Sequence, residues 1–177
     1  MSTRDQILDS FETLIIDQGE RSATLSAVAK AAGVSKGGLL YHFDSKQALA
    51  RGLAERIEEF SHVETQRLRA SEDPARQYLE ESITLAEPID RTFVALGGLA
   101  LLDDYEVARS ALSDADDRIL TLFTELLGDR SIALLVVRLS DSFYQRAGVG
   151  IESSDEAGDL ESILRLVDRL RSQSAEG

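Results

Sequence analysis

The chain has 177 residues and a net charge of −13, from 19 basic and 32 acidic side chains; it contains two histidines, two prolines and no cysteine. Without cysteine there is no disulfide framework and no thiolate metal site, no apolar run approaches the ~20 residues of a membrane span, and the opening MSTRDQIL lacks the apolar stretch of a signal peptide. The expectation is a cytoplasmic protein, large enough for one large or two small domains.

With only Pro74 and Pro88, and with apolar residues three and four apart nearly throughout, the pattern predicts an all-α chain. The first helix starts at a cap on Thr3, buries Ile7, Leu8, Phe11, Leu14 and Ile15, and ends at Gly19. Next comes TLSAVAKAAGVSKGGLLYHFDSK, Thr24 to Lys46. Its apolar residues Leu25, Val28, Ala29 and Ala32 stop at Gly33, where a turn needs a positive φ, and resume after Ser35 with Leu39, Leu40 and Phe43. Two short helices crossing at a tight turn satisfy this spacing: Ala29 is small at the crossing and Val34 plugs the angle. That is the layout of a helix-turn-helix, whose second helix enters the DNA major groove.

Charge agrees with this reading. Between Arg21 and Ala48 there are four basic residues, Arg21, Lys30, Lys36 and Lys46, against the single acid Asp44, a net +3 that leaves −16 for the remainder. A basic island on an acidic protein suits an anionic partner met by one face.

The remainder continues in helices. Ser45 caps a long one carrying Leu49, Leu53, Ile57 and Phe60, its stripe running past Val63 and Arg67 toward Leu68, by which point the face has become largely polar. Ala70 to Asp73 and Pro74 then begin a second domain. Tyr78, Leu79, Ile83 and Ala86 form the next face, which Pro88 stops. The stretch Ile89 to Leu102 is apolar on most sides and therefore buried, with Gly97 and Gly98 marking either close packing against a neighbour or a gap beside a cavity. A long amphipathic helix from Tyr105 to Gly128, with a break admitted near Ser113, precedes Arg130 to Gly148, where Ile132 to Val137 is apolar on more than one side. Gly148 to Asp155 reads as a loop, and the last helix carries Leu160, Ile163, Leu164, Val167 and Leu170.

The run GVSKGGLLYHFDSKQAL, preceded by TLSAVAKAA, closely resembles the DNA-binding domain of the TetR family of bacterial one-component transcriptional regulators; the match covers roughly Thr3 to Phe60. The resemblance implies a three-helix DNA-binding domain over 1–46, a connector helix over 45–70, a helical ligand-binding and dimerisation domain over 74–172, and a tail over 173–177. It implies DNA contacts at Thr24, Ser26, Ser35, Lys36, Gly37, Gly38, Leu40, Tyr41, His42 and Lys46. Lys36 is the long donor able to reach a guanine edge, whereas Thr24, Tyr41, His42 and Lys46 suit phosphates. Many family members carry Thr or Ser at the position of Gly38 and Tyr at that of Leu40, so base readout here rests on Lys36 and on contact between Leu40 and thymine methyls.

By the same resemblance the two terminal helices form a four-helix dimer interface, with Ile132, Val136, Leu139, Leu160, Ile163, Leu164 and Val167 as candidates; completion of the monomer's own core is the other reading of them. Tyr78, Phe93, Leu96, Phe123 and Phe143 are candidates to line an apolar effector pocket, each equally readable as core. Glu81, Glu87, Asp103 and Asp104 permit a cationic ligand or are solvated helix faces.

No cofactor is expected. His42 and His62 are the only histidines and stand twenty positions apart, so neither a metal cluster nor a Ser-His-Asp set assembles, and an enzyme is not expected. The implied function is a repressor that binds a palindromic operator as a homodimer and is released by a small molecule. The alternative is a helical dimer that binds ligands or proteins and carries a non-functional helix-turn-helix.

Overall fold

The structure is a computed structural model describing residues 2–83, 88–148 and 156–174. The helices are α1 (Thr3–Gln18), α2 (Leu25–Ala31), α3 (Lys36–His42), α4 (Lys46–Arg69), α5 (Pro74–Ser82), α6 (Pro88–Ala100), α7 (Glu106–Leu127), α8 (Arg130–Gly148) and α9 (Glu156–Ser174), with one 3-10 turn at Glu20–Ser22. There is no strand among the described residues, and the all-α expectation holds. No described helix is long and apolar enough to cross a membrane.

Local chemistry sets most boundaries. Ser2, not Thr3, caps α1: its hydroxyl accepts from the Asp5 amide, and the Asp5 carboxylate accepts from the Ser2 amide, a reciprocal capping box. Thr24 caps α2 by accepting from the Ala27 amide, Ser35 caps α3 by accepting from Gly38, and the Ser45 hydroxyl accepts from Ala48 at the start of α4. Asp73 caps α5, where Pro74 occupies the first turn and needs no amide partner. Pro88 opens α6 rather than closing the helix before it, because α5 already ends at Ser82; Ala86 lies outside the described residues. α7 is continuous through Ser113. The Gly150 and Glu152 to Asp155 loop lies outside the described residues, and α9 runs on through Ser174, into the stretch expected as tail.

The packing gathers into two compact units, Met1–Phe60 with Glu87–Ala115 and Ser61–Ala86 with Asp116–Gly177. α4 and α7 contribute to both. Division by packing therefore runs differently from the division expected along the chain, because Ala95, Leu96 and Leu99 of α6 share a core with Ile7, Leu8, Phe11, Val28, Leu39 and Leu53. A buried polar set accompanies that core. Glu12 of α1 accepts from the Thr92 hydroxyl of α6 at 2.6 Å and from Arg56 of α4 at 3.0 Å, while Arg56 also reaches Asp9 at 2.8 Å. A carboxylate this buried is tolerated because it is both ion-paired and hydrogen-bonded.

The second core joins Leu68 and Leu79 to Leu120, Leu122 and Phe123 of α7, Ala133, Val136 and Val137 of α8, and Leu160, Leu164 and Val167 of α9. Ion pairs rim it, among them Arg76 with Glu161 and Arg138 with Asp116. Toward its C-terminal end α4 is mostly polar and exposed, with Val63 60% exposed and Leu68 fully buried.

Two helical glycines have opposite surroundings. A Cβ at Gly52, inside α4, would stand 2.9 Å from both Leu8 Cδ2 and Phe43 Cε1, so α4 approaches α1 and the α3 end only because Gly52 is bare. At Gly97 nothing described lies within 4 Å, and Gly98 meets only Ile15 at 3.8 Å, so this pair does not mark close packing; Gly98 instead borders an open groove of about 330 Å³ beside Ile15, Glu20, Arg21 and Leu102. Gly52→Ala is expected to destabilise by roughly 1–3 kcal/mol through overpacking, whereas Gly97→Ala, at an unobstructed helical site, is expected to gain up to about 1 kcal/mol; urea unfolding of the two variants checks both signs.

Candidate nucleic-acid interface

α3 is seven residues long and includes Gly37 and Gly38, so it is not stable by itself. Each glycine costs about 1 kcal/mol relative to Ala, whereas burying Leu39 and Phe43 returns roughly 1.5–3 kcal/mol per side chain, and burial wins. Leu39 and Phe43 are indeed inside the first core. Gly33, at φ +67°, turns the chain between α2 and α3, and the Val34 amide donates to Ala29 at 3.0 Å. Fixing one side of α3 in this way leaves the other side to solvent.

The uncovered side carries the residues that the sequence singles out. Ser35, Lys36, Gly37 and His42 are exposed; Leu40 is 41% exposed and Tyr41 86%. Thr24 and Ser26, at the start of α2, are exposed as well. The two glycines differ in cause. A Cβ at Gly38 would sit 3.2 Å from the Ser35 hydroxyl that caps the helix, so a side chain there presses on the cap; at Gly37 the nearest atom is 3.9 Å away, so no contact within the protein accounts for its bareness. Tyr41 touches His42 edge-on at 5.2 Å between ring centres and makes no other ring contact among the described residues. Lys36 makes no ion pair with any described residue. An exposed phenol, a free ammonium and a backbone open to close approach can together serve a phosphate backbone and base edges.

Lys46 is held differently from the others. Its ammonium donates to the Glu20 carbonyl at 3.1 Å and pairs with the Glu20 carboxylate. The same carboxylate accepts from the Tyr105 hydroxyl at 2.7 Å. With three donors on an ammonium, one remains for a phosphate. Hydrogen bonds from Lys46 and then Tyr105 hold the Glu20 carboxyl below its ordinary range. Burial, followed by the Glu20 contact, raises the Tyr105 phenol well above its ordinary value. Sequence reasoning missed Glu20 and Tyr105 as partners of this position. They stand on either side of Lys46 at separations of 26 and 59 residues, and no local pattern links them.

The other candidate groups fare unevenly. Phe93 and Leu96 belong to the first core, whereas Tyr78, Phe123 and Phe143 belong to the second. Within the second, Tyr78 lies 5.1 Å from Phe123 between ring centres, and burial pushes its phenol up to about 12. Ile132, Val136, Leu160, Leu164 and Val167 are buried within the protomer's own core, with Leu139 and Ile163 half-buried beside it. Glu81 is already paired with Arg67, Asp103 and Asp104 are exposed in the turn after α6, and Glu87 lies outside the described residues. No group of His, Cys, Asp or Glu able to hold a metal ion occurs among the described residues.

A short, solvent-facing helix behind a glycine turn, packed on α2, defines a helix-turn-helix. Residues 7–53 match the family described as "Bacterial regulatory proteins, tetR family". The chain is 31% identical over 134 residues to the nucleoid occlusion factor SlmA of Aliivibrio fischeri, covering 73% of this chain and 68% of that protein. It is 34% identical over 71 residues to the transcriptional regulator TtgR of Pseudomonas putida, covering 40% of this chain and 33% of that protein. In fold it is similar to reduced NemR of E. coli (TM-score 0.72, 21% identity, 95% of this chain and 97% of that one) and to NalD of Pseudomonas aeruginosa, a repressor (TM-score 0.68, 22% identity, 94% of each). The protein belongs to the TetR family of transcriptional regulators.

The Glu20 pairing has a pH signature. Its lowered native pKa means that the stabilisation is fully present above the unfolded value of 4.5 and is lost as pH falls through the native value. Glu20→Gln is expected to lower stability near neutrality, and the gap between variant and wild type should narrow in acid. Urea unfolding across that range measures it; a gap constant with pH would remove the carboxylate from the account.

Proposed function

We propose that the protein is a dimeric repressor that binds a palindromic operator through α3 and leaves it when a small molecule binds the second unit. The observation that carries the DNA reading is Gly37: a helix-weakening residue on an open face, beside Lys36 and an almost fully exposed Tyr41. Nothing inside the protein compensates for it, and close approach of a DNA backbone does. Lys36 reads a base edge, while Thr24, Ser26, Tyr41, His42 and the remaining donor of Lys46 position the helix on phosphates. Leu40 supplies an apolar contact to a thymine methyl.

One short helix with one long basic reader cannot select a site, and two related by a two-fold axis read half-sites ~34 Å apart. The apolar residues available for that pairing are the less buried ones of α8 and α9: Leu135, Leu139, Ile163, Leu170 and Leu166, the last 40% exposed. This moves the proposed interface outward from Val136, Leu164 and Val167, which serve the protomer. α4 and α7 contribute to both cores, so an effector that prefers one arrangement of these helices weakens DNA binding, and DNA weakens the effector by the same factor.

A selection from randomised duplexes at moderate salt tests the reading. Recovery of a palindrome with regularly spaced half-sites is expected, and recovery of nothing above background by folded protein would overturn it. Each phosphate contact adds about 0.9 to the slope of log affinity against log salt. On the recovered site Lys36→Ala should lose affinity and relax sequence preference, whereas Lys46→Ala should weaken all sequences about equally. The double substitution Ile163→Glu, Leu166→Glu should give folded monomers by light scattering with operator affinity lost; an intact dimer would put the interface elsewhere.

A second reading has its own observation. The alignment with the nucleoid occlusion factor extends well beyond the DNA-binding helices, which favours a DNA-bound role in nucleoid occlusion over effector-controlled repression. Mapping bound sites on the chromosome separates the two: a few sites at gene starts support the repressor, and many dispersed ones support the alternative.

A further inference from the structure

Four arginines of the second unit are paired with acids. Arg67 pairs with Glu64 and Glu81, Arg69 with Glu125, Arg76 with Glu161 and Arg138 with Asp116. Arg118, in the middle of α7, is the exception with a buried donor. Its Nη1 lies 3.3 Å from Nδ1 of His62 on α4, and its Nε is buried with no hydrogen-bond partner. Neither Asp114 nor Asp117, its exposed neighbours on the same helix, forms an ion pair with it.

This geometry divides the guanidinium into a used and an unused side. Nη1 faces the imidazole, which leaves the edge formed by Nε and Nη2, the edge that grips a carboxylate or phosphate through two parallel bonds. A guanidinium N–H buried without an acceptor costs stability, and in a chain with 32 acids no described carboxylate has been set against it. His62 is exposed. If its Nδ1 accepts from Arg118, its proton is on Nε2, a second donor for the same oxyanion. One turn beyond Arg118 on α7, Leu122 belongs to the apolar core and offers an apolar neighbour.

We propose that Arg118 and His62 form the anchor for an anionic effector, a small organic acid whose carboxylate or phosphate head takes the free edge of Arg118 and whose body is apolar. The proposal rests on the reading of the second unit as an effector-binding unit and names the class of that effector. Because Nε is covered in this conformation, the acid must displace the cover to reach it. Preference for the opened arrangement is the differential affinity that an effector requires.

The test uses the full chain and four probes of equal chain length: octanoate, octyl phosphate, octanol and octylamine, followed by calorimetry and thermal melting. The two anions are expected to bind at least tenfold more tightly than the alcohol and the amine. Arg118→Gln should abolish that preference, and His62→Gln should weaken anion binding severalfold. Arg118→Met, which keeps the stem and removes the unmet donor, should raise Tm of the ligand-free protein by about 2 °C or more, where a merely structural arginine would lower it. Equal binding of all four probes, no binding of either anion, or anion binding unchanged in Arg118→Gln would overturn the proposal. Operator release is scored separately on the selected duplex. Anions that bind through Arg118 without releasing DNA sustain this site and overturn the effector reading; release by neutral probes regardless of Arg118 does the reverse.

Discussion

The structure depends on holding a helix too short and too glycine-rich to hold itself. α3 has about two turns, and its own backbone bonds are too few to offset nucleation. What keeps it formed is one-sided burial: Leu39 and Phe43 enter the core, Val34 fills the turn, and Gly52 lets α4 press in from behind. Because all the fixing contacts come from that side, the opposite side is rigid and bare. Rigidity without cover is what a surface that must fit a groove requires, since ordering it on binding would subtract from affinity.

Polar contacts then tie this core to helices remote in sequence. Glu12 gathers Arg56 and Thr92, and Glu20 gathers Lys46 and Tyr105, so α1 and the turn after it are bonded to α4, to α6 and to the start of α7. Each carboxylate serves two donors from different helices. Such a junction ties the helices together, because breaking one contact leaves a partly buried donor without its acceptor. α4 and α7 each contribute residues to both cores. An effector anchored at Arg118 on α7 and His62 on α4 would act on those two helices.

Much of this was legible in the residues. Three-and-four spacing and scarce proline required helices; Thr24, Ser35 and Ser45 announced their starts, and Gly33 announced the turn. Leu39 and Phe43 were assignable to the core, whereas the outward roles of Tyr41 and Lys36 followed from the family resemblance and not from spacing, which had grouped the exposed Leu40 with the apolar residues. Ser2, three residues before Asp5, has the capping-box spacing.

What periodicity does not contain is which helices share a core. An apolar α6 must be buried, but its sequence is silent on the neighbour, and tertiary packing set Leu96 and Phe93 with the DNA-binding helices and Phe123 and Phe143 with the others. For the same reason the apolar stripes of α8 and α9 could not be divided in advance between the protomer's core and a partner. Pairings over long separations, such as Tyr105 with Glu20 or Arg118 with His62, leave no local trace, because a hydrogen bond between distant residues constrains only the folded distance. By itself the sequence determined the helical class, the caps at Thr24, Ser35 and Ser45 and the turn at Gly33, which are local consequences of backbone geometry and side-chain spacing. The tertiary structure alone decided which core each helix joined and which charges met, because those depend on where the chain returns to itself.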